Sequence, residues 1–186
     1  ISKNITAIGY ELLRDDEGSL PIMRCMSEIA GRSSVLIAAE YLSNFNAGKG
    51  ELFGGIPGIQ PTKVVIIGAG AVGEYAAQAA IGLGASVKIF DNNINKLRRI
   101  ERNLGSRICS STIIPKTLAK SISECDVAIG ALRSPLGYNP CVVTEEMVAR
   151  MRDQSIIIDV SIDQGGCFET SKPTNHQNPV FEKHDV

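Results

Sequence analysis

Between residues 63 and 160, short aliphatic runs alternate with segments whose apolar residues recur at helical spacing. The runs are 63–67, 87–90, 126–131 and 155–160, with a weaker one at 107–109. Apart from a few polar positions, mostly at their ends, they are aliphatic without strict alternation, which predicts strands buried on both faces. Helices are predicted between them at 72–83, 94–104, 116–122 and 144–151. Gly84 and Gly105 close the first two, and Thr144 is placed to cap the last. Strands separated by helices predict an α/β fold, a doubly wound parallel sheet with helices on both faces.

The chain before residue 63 is patterned differently. Residues 6–10 predict a short strand, followed by a polar turn at 14–18. Apolar positions from Met26, Ile29 and Ala30 to Leu42 then predict a helix over 23–42, with Ser27 and Glu28 near its start. Residues 44–62 are rich in glycine and carry Pro57 and Pro61, so they predict a loop. A loop of that length is often functional.

The first βα turn brings in chemistry. Gly68-Ala69-Gly70-Ala71-Val72-Gly73 follows an aliphatic run, opens a helix, and precedes a second run ending in Asp91, 18 residues after Gly73. A bare GxGxxG is weak; this strand–turn–helix–strand–acid context is the dinucleotide-binding fingerprint of a Rossmann-type fold. Gly68 permits the tight turn, Gly70 lets the backbone approach a pyrophosphate, and Gly73 lets the helix pack on its strand. Free amides at the helix start offer an anion site. Asp91 can accept hydrogen bonds from both ribose hydroxyls of an adenosine and would repel a 2′-phosphate, favouring NAD over NADP.

Composition narrows the class. The 186 residues suit one domain with some attached structure, and 44% hydrophobic with 21% charged residues is the balance of a soluble globular protein. A net charge of −1 without a basic block argues against nucleic acid or an anionic membrane as partner. No apolar run approaches a bilayer span, and Ile1-Ser2-Lys3-Asn4 is no signal peptide. The absence of an initiating Met predicts a piece of a longer protein. Five scattered cysteines without a CxxC pair read as reduced thiols of a cytoplasmic protein, with no metal site.

Ligands of such sheets bind beyond the carboxyl ends of the strands, which singles out the residues after each run. Besides the glycine turn these are Asp91-Asn92-Asn93, Ala131-Leu132-Arg133 and the segment 161–166. Lys96 either neighbours the adenosine ribose or is one more charge on a solvated helix face. Asp163 could orient a nicotinamide ribose, hold a water or move a proton, or it could simply cap a turn. Asp159 reads as a residue that caps or pairs within the sheet, and His176 and His184 read as surface residues.

Four segments together resemble the alanine dehydrogenase family: 26–32 (MSEIAGR), 54–58 (GGIPG), the 68–73 fingerprint and 162–171 (IDQGGCFETS). The resemblance runs in order over nearly the whole chain. A relative of that family, the NAD(P) transhydrogenase alpha subunit, shares the fold and the Ser-Glu helix but not the Asp-Gln-Gly-Gly run at 163–166. The resemblance implies oxidative deamination of L-alanine to pyruvate and ammonia, with hydride passing to NAD. It implies that residues 1–25 are a remnant of a substrate-binding domain and 26–186 an NAD-binding domain, with 26–43 an interdomain linking helix. Cofactor contacts are implied for Ser27, Gly68, Ala69, Gly70, Ala71, Val72, Gly73, Asp91, Asn92, Lys96, Ala131, Leu132, Val142, Val160 and Asp163. Asp163 is also the implied carboxylate at the reacting centre.

The same resemblance places the substrate-binding arginine and lysine and the catalytic histidine before Ile1, and a further strand after Val186. It also implies a homo-oligomer. Arg133-Ser134, before Pro135, stand where the family usually has aliphatic residues. Two alternatives remain: a proton-translocating transhydrogenase domain, or an NAD-binding module without catalysis.

Overall fold

The computed structural model describes residues 5–105, 107–134 and 137–186. Five strands form one sheet: β1 (Lys63–Ile67), β2 (Ser86–Phe90), β3 (Cys109–Ser111), β4 (Val127–Gly130) and β5 (Ile156–Asp159). Every pairing is parallel, and the spatial order is β3-β2-β1-β4-β5. The chain winds outward from β1 to one edge, returns to β4, and winds outward again. This is the Rossmann-type order, with its switch point between β1 and β4.

The helices are α1 (Pro21–Leu42), α2 (Ala71–Gly82), α3 (Ile94–Leu104), α4 (Pro115–Glu124) and the short α5 (Glu145–Val148). Alternate strand residues feed two separate apolar layers. Val64, Ile66, Ile89 and Ile129 pack with Val35 and Leu42 of α1, Ala76 and Ala80 of α2 and Ile100 of α3. Val65, Ile67, Phe90 and Ala128 pack with Leu118 and Ile122 of α4 and Val148 of α5. Burial on both faces is what continuous aliphatic runs require. Ile66 and Ile129 have no exposed surface, and truncating either to Ala would cost roughly 2–5 kcal/mol.

Small residues bring α1 and α2 together. A Cβ at Gly31 would overlap the Val72 carbonyl, so glycine there sets the approach of α1 to the start of α2. Below the sheet, the buried Asp126 carboxylate accepts hydrogen bonds from Lys63 N (2.8 Å), Lys49 Nζ (3.1 Å) and Arg152 Nη1 (3.1 Å). Burial pushes this carboxyl up, but those three donors outweigh it and hold it below the usual carboxylate range. The pair with Lys49 ties the long 44–62 loop to the sheet.

The boundaries differ from the sequence pattern in a few places. Residues 6–10 form no strand; a 3-10 turn at Tyr10–Leu12 stands there, with Ile8 and Leu12 exposed. A strand needs a partner edge, and among the described residues none pairs with this segment. β3 begins at Cys109 rather than 107, because its register starts at the Lys88–Cys109 pair. α1 begins earlier than 23, with Pro21 in its first turn, where a missing N–H costs nothing. Thr144 caps α5 by accepting from Met147 N (3.3 Å), but the helix ends at Val148. Residues 1–4 of the expected 1–25 remnant, Ser106, and Pro135 and Leu136 lie outside the described residues.

No helix among the described residues is long and apolar enough to cross a membrane. All five cysteines are free.

Candidate dinucleotide site

The three glycines of the fingerprint meet different surroundings. Gly68 has φ +117°, a conformation L side chains rarely adopt, and a Cβ there would overlap the Ala131 carbonyl. A Cβ at Gly73 would overlap the Gly68 carbonyl, so α2 rests directly on the turn. Gly70 has an ordinary φ of −76°, and a Cβ there would meet nothing within 4 Å. The protein's own packing accounts for Gly68 and Gly73 but not for Gly70. Open space lies over Gly70, at the start of α2, whose N-terminus carries no side-chain cap. A group needing close backbone approach and amide donors fits that space.

Asp91 follows β2 and is only 5% exposed. Its Oδ2 accepts from Ala69 N (2.8 Å) and its Oδ1 from Asn93 N (2.7 Å), so the carboxylate is fixed against the glycine turn. Each oxygen keeps a second lone pair for a ligand hydroxyl. Lys96 Nζ lies 3.8 Å from Oδ2, because the Asn93 side chain caps α3 and places Lys96 in its first turn. Lys96 thus stands beside Asp91 with its side chain still partly open to solvent. Asn92 turns the other way: its Oδ1 accepts from Ile113 N (3.0 Å) beyond β3.

The other half of the rim is built from residues far apart in sequence. Leu132 O accepts from both Asn139 Nδ2 (2.9 Å) and Ser161 Oγ (2.7 Å). Asn139 Oδ1 accepts from Ser134 N (2.6 Å), and Asn139 N donates to Gln164 O (2.7 Å). Asn139 has no exposed surface, and it knots together the loops that follow β4 and β5. Ala131 is buried and Leu132, Val142 and Val160 are half-buried around this knot. Val160 N donates to Gly130 O (2.9 Å) and Val142 N to Cys167 O (3.0 Å).

At the end of β5 the Asp159 carboxylate accepts from Ser161 N (3.2 Å), Cys167 N (2.7 Å) and Phe168 N (3.2 Å). Asp159 therefore takes the capping role. Asp163 sits on the 3-10 turn Ile162–Gln164 with its side chain exposed. Cys167 is buried beneath this turn; burial, and then the Asp159 charge, push its thiol up to about 11.

The alanine dehydrogenase/PNT C-terminal domain family matches residues 34–186. The chain belongs to that family. The alanine dehydrogenase of Mycolicibacterium smegmatis is 43% identical over 186 residues, covering 100% of this chain and 50% of that protein. A solved L-alanine dehydrogenase matches with a TM-score of 0.91 and 44% identity, over 97% of this chain and 50% of its own. A transhydrogenase from Sinorhizobium meliloti matches with a TM-score of 0.72 at 24% identity, over 95% of this chain and 50% of its own, and shares the fold. The chain spans about half the length of the curated relatives it matches.

In this alanine dehydrogenase/PNT domain the structure gathers Gly68–Gly73, Asp91 and Lys96 into one cluster, and Ala131, Leu132, Val142, Val160 and Asp163 around a second. Ser27 stands apart from both sets of contacts. Its hydroxyl donates to Met23 O (2.8 Å), one turn before Gly31 and hence before the contact with α2. Arg133 is exposed beside the β4 loop. Two residues that the sequence does not mark as site residues join its parts, Asn139 and Arg99. Arg99 Nη2 donates to Ala69 O (2.9 Å) while its Nε bonds Glu74 Oε2 (3.2 Å). The only signal for either in the sequence was polarity: Asn139 lies in a Pro/Gly loop, and Arg99 is one of several cations along α3.

Proposed function

We propose that this chain is the NAD-binding domain of an L-alanine dehydrogenase. The observation that carries the reading is identity of 43–44% to alanine dehydrogenases across essentially the whole chain, against 24% to the transhydrogenase. The residues present suit the cofactor: open space over Gly70, the uncapped start of α2, and an anchored carboxylate with spare lone pairs at Asp91. The pyrophosphate would lie against Gly68–Gly73. The adenosine ribose would meet Asp91, with Lys96 beside it and Asn92 bracing the turn. Asp91 carries the negative charge that disfavours a 2′-phosphate, so NAD is preferred to NADP.

NAD bound here supplies the hydride acceptor. The overall reaction takes a hydride from the α-carbon of L-alanine, and hydrolysis of the resulting imine yields pyruvate and ammonia. Ala131, Leu132, Val142 and Val160 would line the groove toward the nicotinamide. Asp163, exposed at its rim, is proposed as the catalytic carboxylate, holding a water or proton there. Ser27 is proposed to touch the cofactor from α1. Residues 1–25 are assigned to the substrate-binding domain and 26–43 to a linking helix. The alanine and pyruvate contacts belong to the rest of a longer, cytoplasmic, homo-oligomeric enzyme. The transhydrogenase-type reading and the non-catalytic module rank behind this one, on the lower identity.

Titration of the chain with NADH and NADPH, followed by ligand fluorescence, tests the cofactor. NADH should bind more tightly, and Asp91→Ala should weaken it by about tenfold, the worth of a hydrogen bond to a charged group. Preference for NADPH would overturn the cofactor assignment. An assay of the full-length protein with NAD and a panel of small L-amino acids tests the reaction. No NADH formation with alanine would overturn it.

A further inference from the structure

We infer that Arg99 is a positioning residue for the pyrophosphate-binding turn, an inference that rests on the NAD reading above. The peptide between Ala69 and Gly70 lies at the centre of the fingerprint. Its neighbourhood is held from two sides: Asp91 Oδ2 accepts the Ala69 N–H at 2.8 Å, and Arg99 Nη2 donates to the Ala69 carbonyl at 2.9 Å. In a trans peptide the C=O of one residue and the N–H of the next point in opposite directions. With the Ala69 carbonyl drawn toward α3 by Arg99, the Gly70 N–H is turned away from α3. On Gly70 lies the space in which a Cβ would meet nothing within 4 Å.

Arg99 is itself braced. Its Nε lies 3.2 Å and its Nη2 3.1 Å from Glu74 Oε2, and Asn103 Nδ2 donates to the other oxygen of the same carboxylate. Glu74 stands in the first turn of α2, so the guanidinium joins α3, the glycine turn and α2 in one network. A guanidinium, with donors in a fixed fork, can serve the carboxylate and the carbonyl at once; an ammonium on a flexible stem holds them less rigidly. Without Arg99 the carbonyl of the Ala69–Gly70 peptide loses its hydrogen bond and the peptide is free to rotate, while Asp91 still holds the Gly68–Ala69 peptide before it. The orientation of the Gly70 amide toward an anion would then have to be paid at binding.

This role differs from a general stabilising one in which ligand groups it affects. ¹⁵N-resolved NMR titrations of the chain with ADP-ribose and with adenosine separate the two. Arg99→Gln should weaken ADP-ribose by about tenfold, with less than about a twofold change for adenosine, which has no pyrophosphate. The Gly70 amide shift on ADP-ribose binding should shrink in Arg99→Gln and partly recover in Arg99→Lys. Glu74→Gln removes the charge but keeps an oxygen to accept from the guanidinium, so the Ala69 carbonyl contact stays in place and ADP-ribose affinity should remain within about twofold of the parent. Equal losses for adenosine and ADP-ribose, or an equal loss in Glu74→Gln, would overturn the positioning role while leaving the cofactor site standing. Absence of ADP-ribose binding to the parent chain would overturn the cofactor reading, and this inference with it.

Discussion

Two aspartates mark the two halves of the rim, and they are used differently. Asp91 receives one amide from the glycine turn and one from the cap of α3, and both its oxygens keep room for a further donor. Asp159 receives three amides from the loop that follows β5, and it organises that loop. In the first half, the carboxylate that holds the turn is also the one offered to a ligand. In the second, Asp159 holds the turn and Asp163 is left exposed on it. The first half comes from one stretch, 63–99, whereas the second draws on separate loops between 130 and 168. A compact unit carries its binding group within its own scaffold; a site assembled from distant loops separates scaffold from exposed group.

The sharpest way to probe this contrast is within the glycine turn. Gly73→Ala would drive a methyl into the Gly68 carbonyl, and should cost at least about 3 kcal/mol in urea unfolding. Gly70→Ala, whose Cβ meets nothing, should change stability by less than about 0.5 kcal/mol while weakening NADH binding. Equal stability losses at the two glycines would break the distinction between packing and ligand glycines.

In the second half the corresponding weak point is Asn139. Asn139→Ala removes, in a fully buried place, the amide that donates to Leu132 O and accepts from Ser134 N, leaving Leu132 O with Ser161 Oγ. Unfolding should register a loss of roughly 2–3 kcal/mol. Adenosine, held by the Asp91 half, should bind as before. A loss of adenosine affinity equal to that caused by Asp91→Ala would show that the two halves are one unit.

The smallest effect concerns thiols. Burial pushes Cys125 up to about 12 and Cys167 to about 11, whereas Cys25, Cys109 and Cys141 are exposed. An aromatic disulfide reagent at pH 8 should modify Cys25 and Cys109 quickly, Cys141 more slowly because partial burial of its thiol pushes it up, and the buried two only on unfolding. The folded values lie above the unfolded thiol value of about 8.5. Stability from these protonated thiols is therefore complete below that pH and is lost as pH rises through about 11 to 12. Fast labelling of Cys167 in the native protein would mean that the Asp159 loop opens readily.

Much of this was legible along the chain. The runs at 63–67 and 87–90, the helix at 94–104 and the N-cap at Thr144 appear in the fold nearly where their patterns place them. Local signals sufficed there because glycine caps, aliphatic runs and capping side chains act within a few residues. The strand expected at 6–10 failed because a strand depends on a partner edge, which no local pattern supplies. The place of Lys96 beside Asp91 depends on α3 starting at Asn93, a cap that brings its ammonium 3.8 Å from that carboxylate. Asn139 and Arg99 were invisible for the same reason: their partners lie 7 and 30 residues away along the chain.

The fold class, the glycine turn and the acid that follows β2 are written along the chain. Each depends on periodicity or on backbone conformation that only glycine tolerates, and both are written locally. Which glycine faces open space, which aspartate is committed to a turn and which arginine holds the Ala69 carbonyl emerge only when the chain is packed. Those are questions of what stands opposite a group across the sheet rim, and that is settled by the packing of α2, α3 and the β4 and β5 loops.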